Sequence, residues 1–276
     1  MTLNIPYLET HVVDHCNLNC DLCSHFSNIA PKRFVGLDWF GKQLARLLEV
    51  ADSIEPLALL GGEPTLHPEL VGFVHLSRTY LPRAHIEIAT NGTLLASKGA
   101  DFWRALAENR IWLRITYYPG TRVDARAIAR LAGDYGVGCG IRDLGKDKSW
   151  YCLLNARGDS DPRLAFANCP SRVCHTLYEG RFYLCPRPAY IHFWNRTQSK
   201  PIEVARSDYV DIFGENARSV LEQYLGRIDR SEALEFCRWC PERRQPVEWT
   251  SAATRRGRAG LVRKGLAFWV RGRQGQ

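Results

Sequence analysis

Methionine occurs once, at the first position, which excludes a Met-lined groove for promiscuous partners. No apolar run is long enough to span a bilayer. The first ten residues, MTLNIPYLET, hold no basic region followed by an apolar core. No secretory signal is read there, and a cytoplasmic location is the expectation. Acidic residues are missing from position 251 onward. In that stretch Arg255, Arg256, Arg258, Arg263, Lys264, Arg271 and Arg273 supply seven of the chain's eight net positive charges. The rest is close to neutral, so the overall charge implies no nucleic-acid partner. Cysteine, by contrast, is plentiful. Ten cysteines in a chain of 276 residues without an export signal read as metal ligands rather than as a disulfide framework.

Apolar and polar patterning predicts alternating strands and helices. Helices are expected over residues 37–50, 68–80, 99–109 and 124–135, and strands over 10–13, 57–60, 85–90, 111–117 and 137–142. Such alternation implies parallel βαβ units, with chemistry at the carboxyl ends of the strands. Three polar clusters fall there. A loop with Cys16, Cys20 and Cys23 follows the first strand, Gly61-Gly62-Glu63-Pro64 follows the second, and Asn91 and Thr116 lie at the ends of the next two.

Three thiolates in a C-x3-C-x2-C loop can hold three irons of a [4Fe–4S] cluster and leave the fourth open. A zinc knuckle would call for four paired ligands. The glycines admit close backbone approach, and Glu63 can accept a charge-assisted hydrogen bond from an ammonium group. This cysteine run, the GGEP turn and the layout together resemble the radical S-adenosylmethionine (radical SAM) enzymes. The resemblance implies an α/β fold, a partial (β/α)6 TIM-like barrel over residues 1–150. It implies S-adenosyl-L-methionine held by Gly61, Gly62, Glu63, Pro64, Asn91 and Thr116 on a cluster bound by Cys16, Cys20 and Cys23. The aromatic residue usual before the third cysteine is here Leu22.

A second group, Cys169, Cys174, Cys185, Cys237 and Cys240, follows. Residues 174–185 read as a β-hairpin turning at Glu179-Gly180, with Tyr178 facing Arg181 and Cys174 facing Cys185. This part resembles the auxiliary-cluster extensions called SPASM and Twitch. It implies a small C-terminal domain, a β-hairpin plus helix over residues 151–250, with a second [4Fe–4S] cluster. Five cysteines compete for four places. Cys169 satisfies the family spacing and Cys174 the hairpin geometry, and a four-cysteine zinc ribbon fits the same residues.

The layout is similar to the 2-deoxy-scyllo-inosamine dehydrogenase type. It implies oxidation of a secondary alcohol on a sugar, polyol or aminocyclitol, with the auxiliary cluster accepting an electron and a flavodoxin or ferredoxin as reductant. Trp150, Tyr151, Tyr183, Arg187, Tyr190, His192 and Trp194 together suit a hydroxylated ring, though any one of them taken singly reads first as core packing or surface decoration. Arg142, Arg187 and His192 are candidates for the proton-accepting group. If Cys139 or Cys152 donates a hydrogen atom, the reaction becomes an epimerisation. Thioether formation on a peptide and non-catalytic electron carriage are the other readings. The tail over 251–276, basic and interleaved with Leu266, Phe268 and Trp269, suits a membrane surface or an acidic substrate.

Overall fold

The computed structural model describes residues 2–119, 121, 123–144, 150–151, 154–244, 246–247 and 249–251. Cys152 and the tail from residue 252 lie outside them. In chain order the elements are β1 (Asn4–Ile5), β2 (Leu8–Val13), α1 (Leu37–Val50), β3 (Ser53–Ile54), β4 (Leu57–Gly61), α2 (Leu70–Tyr80), β5 (Ile86–Thr90), α3 (Ala100–Glu108), β6 (Ile111–Tyr117), α4 (Ala125–Asp134) and β7 (Cys139–Asp143). After residue 150 come α5 (Pro162–Ala167), β8 (Thr176–Tyr178), β9 (Arg181–Tyr183), α6 (Pro186–Asn195), β10 (Val210–Asp211) and α7 (Ala217–Leu225).

The helices begin and end for local reasons. Asp124 caps α4 by accepting from the Ala127 amide at 2.9 Å, and Asp161 caps α5 from the Arg163 amide at 2.8 Å, with Pro162 pre-set at the first helical position. In α1 the apolar spacing puts Phe40, Leu44, Leu47 and Val50 on the buried face. Each such side chain contributes about 1.5–3 kcal/mol by leaving water. β2 and β4 are buried on both faces, which is why residues 57–60 carry an unbroken apolar run.

Six strands lie parallel in the order β8-β2-β4-β5-β6-β7, and β9 and β10 extend the β8 edge antiparallel. Among the described residues the sheet stays open, ending at β7 and β10, so the barrel is partial. The helical crossovers leave no other choice than parallel pairing. The sixth parallel strand comes from the hairpin. Thr176 and Leu177 of β8 pair with Glu9 and Thr10 of β2, so the sheet runs across the boundary expected at residue 150. The hairpin turn has φ of +49° at Glu179 and +73° at Gly180, the pair of left-handed residues that a two-residue turn needs to match strand twist. Tyr178 faces Arg181, and Thr176 faces Tyr183. No helix among the described residues is long and apolar enough to cross a membrane.

Candidate active site

The first cysteine loop leaves β2 at its carboxyl end, and β4 is its seat. Gly62 donates its amide to the Val13 carbonyl at 2.9 Å, and Glu63 donates to the His15 carbonyl at 3.2 Å. A Cβ on Gly61 would lie 2.1 Å from the Val13 oxygen, and one on Gly62 would lie 2.1 Å from the His15 oxygen and 2.6 Å from the Cys16 nitrogen. The missing side chains thus make room for the backbone leading into Cys16, whereas the sequence reading assigned that room to a ligand's ammonium. Leu22 and Phe26, on either side of Cys23, both adopt left-handed φ, +56° and +54°. These conformations cost energy outside glycine and persist only where the surroundings impose them.

The Glu63 carboxylate is fully buried. Its Oε1 accepts from the Thr65 amide at 3.1 Å and from the Thr65 and Thr90 hydroxyls, and Oε2 accepts from the Asn91 amide at 2.8 Å. It therefore ties β4 to the end of β5. Burial pushes its pKa above the ordinary carboxyl range, with those hydrogen bonds opposing. Pro64 opens the 3-10 turn Pro64–Leu66 that Glu63 caps. The Asn91 carboxamide donates to Asn17 Oδ1 at 2.8 Å and to Cys16 Sγ at 3.8 Å, so Asn91 fixes the cysteine loop. Thr116 is half-buried at the exit of β6, level with Arg142 of β7.

Each thiol of the triad is within electrostatic reach of another. Cys23 acts on Cys16, and Cys16 and Cys23 act on Cys20. Cys16 Sγ accepts from the Leu18 amide at 3.3 Å. Two features here go beyond the sequence reading, the side chain of His25 and the gathering of Trp150 with Tyr118 and Trp249. His25 places Nε2 3.0 Å from Glu9 Oε1, and its ring also engages the Cys23 thiol. The other is an aromatic group. Tyr118 lies 6.2 Å from Trp150 and 5.7 Å from Trp249, centroid to centroid. Residues 249–251 clamp the loop, since Asp21 donates its amide to the Thr250 carbonyl at 2.8 Å and Trp150 donates Nε1–H to the Asp21 carbonyl at 2.9 Å. No periodicity announces such a return of the chain.

In the second half, Cys169, Cys185, Cys237 and Cys240 line one small enclosed cavity together with Phe166, Arg172, Arg187, Leu234 and Phe236. Cys169 follows α5, Cys185 precedes α6, and Cys237 and Cys240 sit on or beside the 3-10 turn Glu235–Trp239. Asp208 anchors that turn by accepting from the Phe236 amide at 3.1 Å. Cys174 does not line this cavity. The charges acting on it are those of Glu9 and Arg114 as well as those of Cys169 and Arg187, which do line the cavity. Its hairpin register is real, but the paired strands stop two residues short of it. Among the described residues no three His, Cys, Asp or Glu side chains gather tightly enough to hold a single metal ion.

Between the two cysteine groups lies a cavity of about 410 Å³. Leu22 and Ser24 of the first loop line one side, Cys169 and Arg187 another, with Arg142, Trp150, Tyr151, Arg243 and Arg244 around them. Of the groups proposed as base, His192 is not here. Its Nε2 lies 3.4 Å from the Tyr178 hydroxyl and its Nδ1 3.1 Å from the Ala189 carbonyl, on a separate cavity. Arg187 is buried and donates to Cys240 Sγ at 3.1 Å. An arginine stays protonated, so neither Arg142 nor Arg187 accepts a proton. Cys139 opens β7 at the end away from this cavity and does not line it. Tyr183, Tyr190 and Trp194 are core residues, and Tyr190 stacks on His11 at 3.8 Å.

No family model matches the chain. Residues of this chain resemble GTP 3',8-cyclase of Streptomyces coelicolor, 34% identical over 111 residues, covering 34% of this chain and 30% of that protein. GTP 3',8-cyclase of Syntrophomonas wolfei is 31% identical over 117 residues, 39% of this chain and 33% of that protein. The chain thus spans about a third of the length of the curated relatives it matches. The solved structure of BtrN in complex with AdoMet and 2-DOIA superposes with a TM-score of 0.52 at 20% identity, covering 90% of this chain and 100% of that one. The fold is that of the radical SAM enzymes. The likeness to that structure runs over most of the chain.

Proposed function

We propose that this radical SAM protein oxidises a secondary alcohol of a hydroxylated small molecule to a ketone. The observation that carries the reading is a cavity lined by Leu22 and Ser24, the neighbours of Cys23, on one side and by Cys169 and Arg187 on the other. Cys16, Cys20 and Cys23 would hold one [4Fe–4S] cluster and leave an iron for S-adenosylmethionine. Cys169, Cys185, Cys237 and Cys240 would hold the second with four thiolates. The donor sets fit. The three thiols of the first loop act on one another, and four thiols line one cavity in the second half. With S-adenosylmethionine bound and one electron delivered by an external reductant, the first site would supply a 5′-deoxyadenosyl radical.

The chain's own part is placement. Asn91, Glu63 and the Gly61-Gly62 seat hold the cysteine loop still. Trp150, Tyr118 and Trp249 supply the aromatic surface that Leu22 does not, and the Asp21–Thr250 clamp shields the loop from water. The substrate loses two hydrogens overall, one as an atom and one as a proton, and one electron passes toward the four-cysteine group. Among the described residues lining the cavity there is no carboxylate and no histidine. Epimerisation would need a thiol hydrogen donor. Cys139 lies away from the cavity, so that reading rests on Cys152, outside the described residues.

The test is anaerobic incubation of the reconstituted protein with S-adenosylmethionine, a chemical reductant, and a panel of polyols, aminocyclitols and sugar phosphates. 5′-Deoxyadenosine together with a product two mass units lighter supports the reading. 5′-Deoxyadenosine with a product of unchanged mass that takes up one deuterium from heavy water overturns it in favour of epimerisation.

A further inference from the structure

The cavity between the cysteine groups is charged in one sense only. Four arginines line it, Arg142, Arg187, Arg243 and Arg244, with no Asp or Glu among its described lining residues. A neighbouring cavity shares Arg243 and Arg244 and adds Arg172. The pair at 243 and 244 is set apart by its place, since both residues line the two cavities. Arg33, Arg46, Arg104, Arg114, Arg157, Arg218 and Arg230 each reach a carboxylate within salt-bridge distance. Arg243 and Arg244 are exposed and have no carboxylate partner among the described residues. The nearest acid in sequence, Glu242, is committed elsewhere, since its Oε1 accepts from the Asp161 amide at 2.7 Å. Arg244 is oriented by the Tyr151 ring, 5.9 Å from its centroid, and Tyr151 itself lines the cavity.

Guanidinium groups gathered around a concave site repel one another, and a bound anion offsets that cost. Guanidinium forks match phosphate and carboxylate oxygens in pairs, and about 410 Å³ is within the usual range for a small-molecule site. We propose that the substrate carries an anionic group, a phosphate or a carboxylate, held by Arg243 and Arg244. This rests on the cavity being the substrate site and narrows the substrate class. An uncharged polyol or a cationic aminocyclitol would leave both arginines unpaired. The Ser171 hydroxyl, which also lines the cavity, would add a hydrogen bond to the anion.

The experiment is anaerobic calorimetric titration of the reconstituted full chain with three probes: inorganic pyrophosphate, succinate and uncharged myo-inositol. Pyrophosphate or succinate should bind, more weakly as salt rises, and myo-inositol should not; which of the two anions binds separates a phosphate from a carboxylate site. The double variant Arg243→Ala/Arg244→Ala should bind at least about tenfold more weakly, and Arg243→Lys/Arg244→Lys should recover part of the loss. An unchanged visible spectrum in both variants shows that the iron sites and the fold survive. The proposal is overturned if the anions bind no better than myo-inositol, or bind the alanine variant as well as the parent. Formation of 5′-deoxyadenosine with an uncharged aminocyclitol would leave the oxidation reading standing while this one falls.

Discussion

Gly62 and His15 are in contact so close that a Cβ on the glycine would stand 2.1 Å from the histidine's carbonyl oxygen. The contact sets the cysteine loop onto the end of β4. It explains why a glycine stands at position 62, and it makes the GGEP turn the seat of the cysteine loop.

Gly62→Ala should therefore displace the loop and not merely crowd a ligand. Backbone atoms of His15 and Cys16 cannot yield as a flexible side chain would. We expect the first cluster to be lost selectively, with iron falling from about eight to about four per chain and 5′-deoxyadenosine formation abolished. Iron analysis of the reconstituted variant checks this, and a full iron complement would show that the loop tolerates the methyl group.

The four-cysteine group makes a second prediction, on the choice that spacing left open. Cys169 lines the cavity with Cys185, Cys237 and Cys240, and Cys174 does not. Cys169→Ser should lower iron by about four per chain, and Cys174→Ser should leave it unchanged. The reverse pattern would return the ligand to Cys174 and the hairpin geometry. Zinc in place of four of the irons would mean a ribbon site.

Much of this was legible in the sequence. The helices α1 to α4 and strands β4 to β7 follow the sequence pattern closely, because the helices and β4 to β6 bury apolar side chains, and α4 also begins at a recognisable cap, Asp124. The turn at Glu179-Gly180 was equally clear. Three things were not. β8 is three residues long and joins β2 from far along the chain, and no local pattern encodes that pairing. The clamp of residues 249–251 on Asp21 is likewise a long-range contact of irregular backbone. Aromatic residues near a site also misled. Tyr183, Tyr190 and Trp194 suit a sugar as well as a core, and only their burial decides. Arg243 and Arg244 did leave a signal, a basic pair three residues after a cysteine knuckle.

Gly180→Ala tests the hairpin. The residue has φ of +73°, and a Cβ would meet the Phe213 ring at 3.1 Å. Left-handed backbone costs an alanine about 1 kcal/mol, and we expect a lower thermal midpoint with spectrally intact clusters. An unchanged midpoint would mean the ring moves aside and the turn relaxes.

His11 gives a pH dependence. It is buried beneath Tyr190 and beside Asp14, His25 and Glu9, and burial is the main cause that holds its pKa down to about 4. The unfolded chain takes up a proton near pH 6.5, while the folded one resists until about pH 4. The unfolded state therefore binds more protons between those values, and stability falls as pH drops through that window, by on the order of 3 kcal/mol. His11→Gln should flatten this part of the curve. Thermal midpoints of parent and variant at pH 7 and pH 5 check it, and parallel losses would assign the acid sensitivity to other groups.

The most direct test of the account is single-turnover formation of 5′-deoxyadenosine from S-adenosylmethionine in the reconstituted protein, compared with Cys16→Ala, Cys20→Ala and Cys23→Ala. The account predicts turnover in the parent and none in any of the three, while the four-cysteine group keeps about four irons per chain. Retained 5′-deoxyadenosine formation in any one of these variants would contradict it.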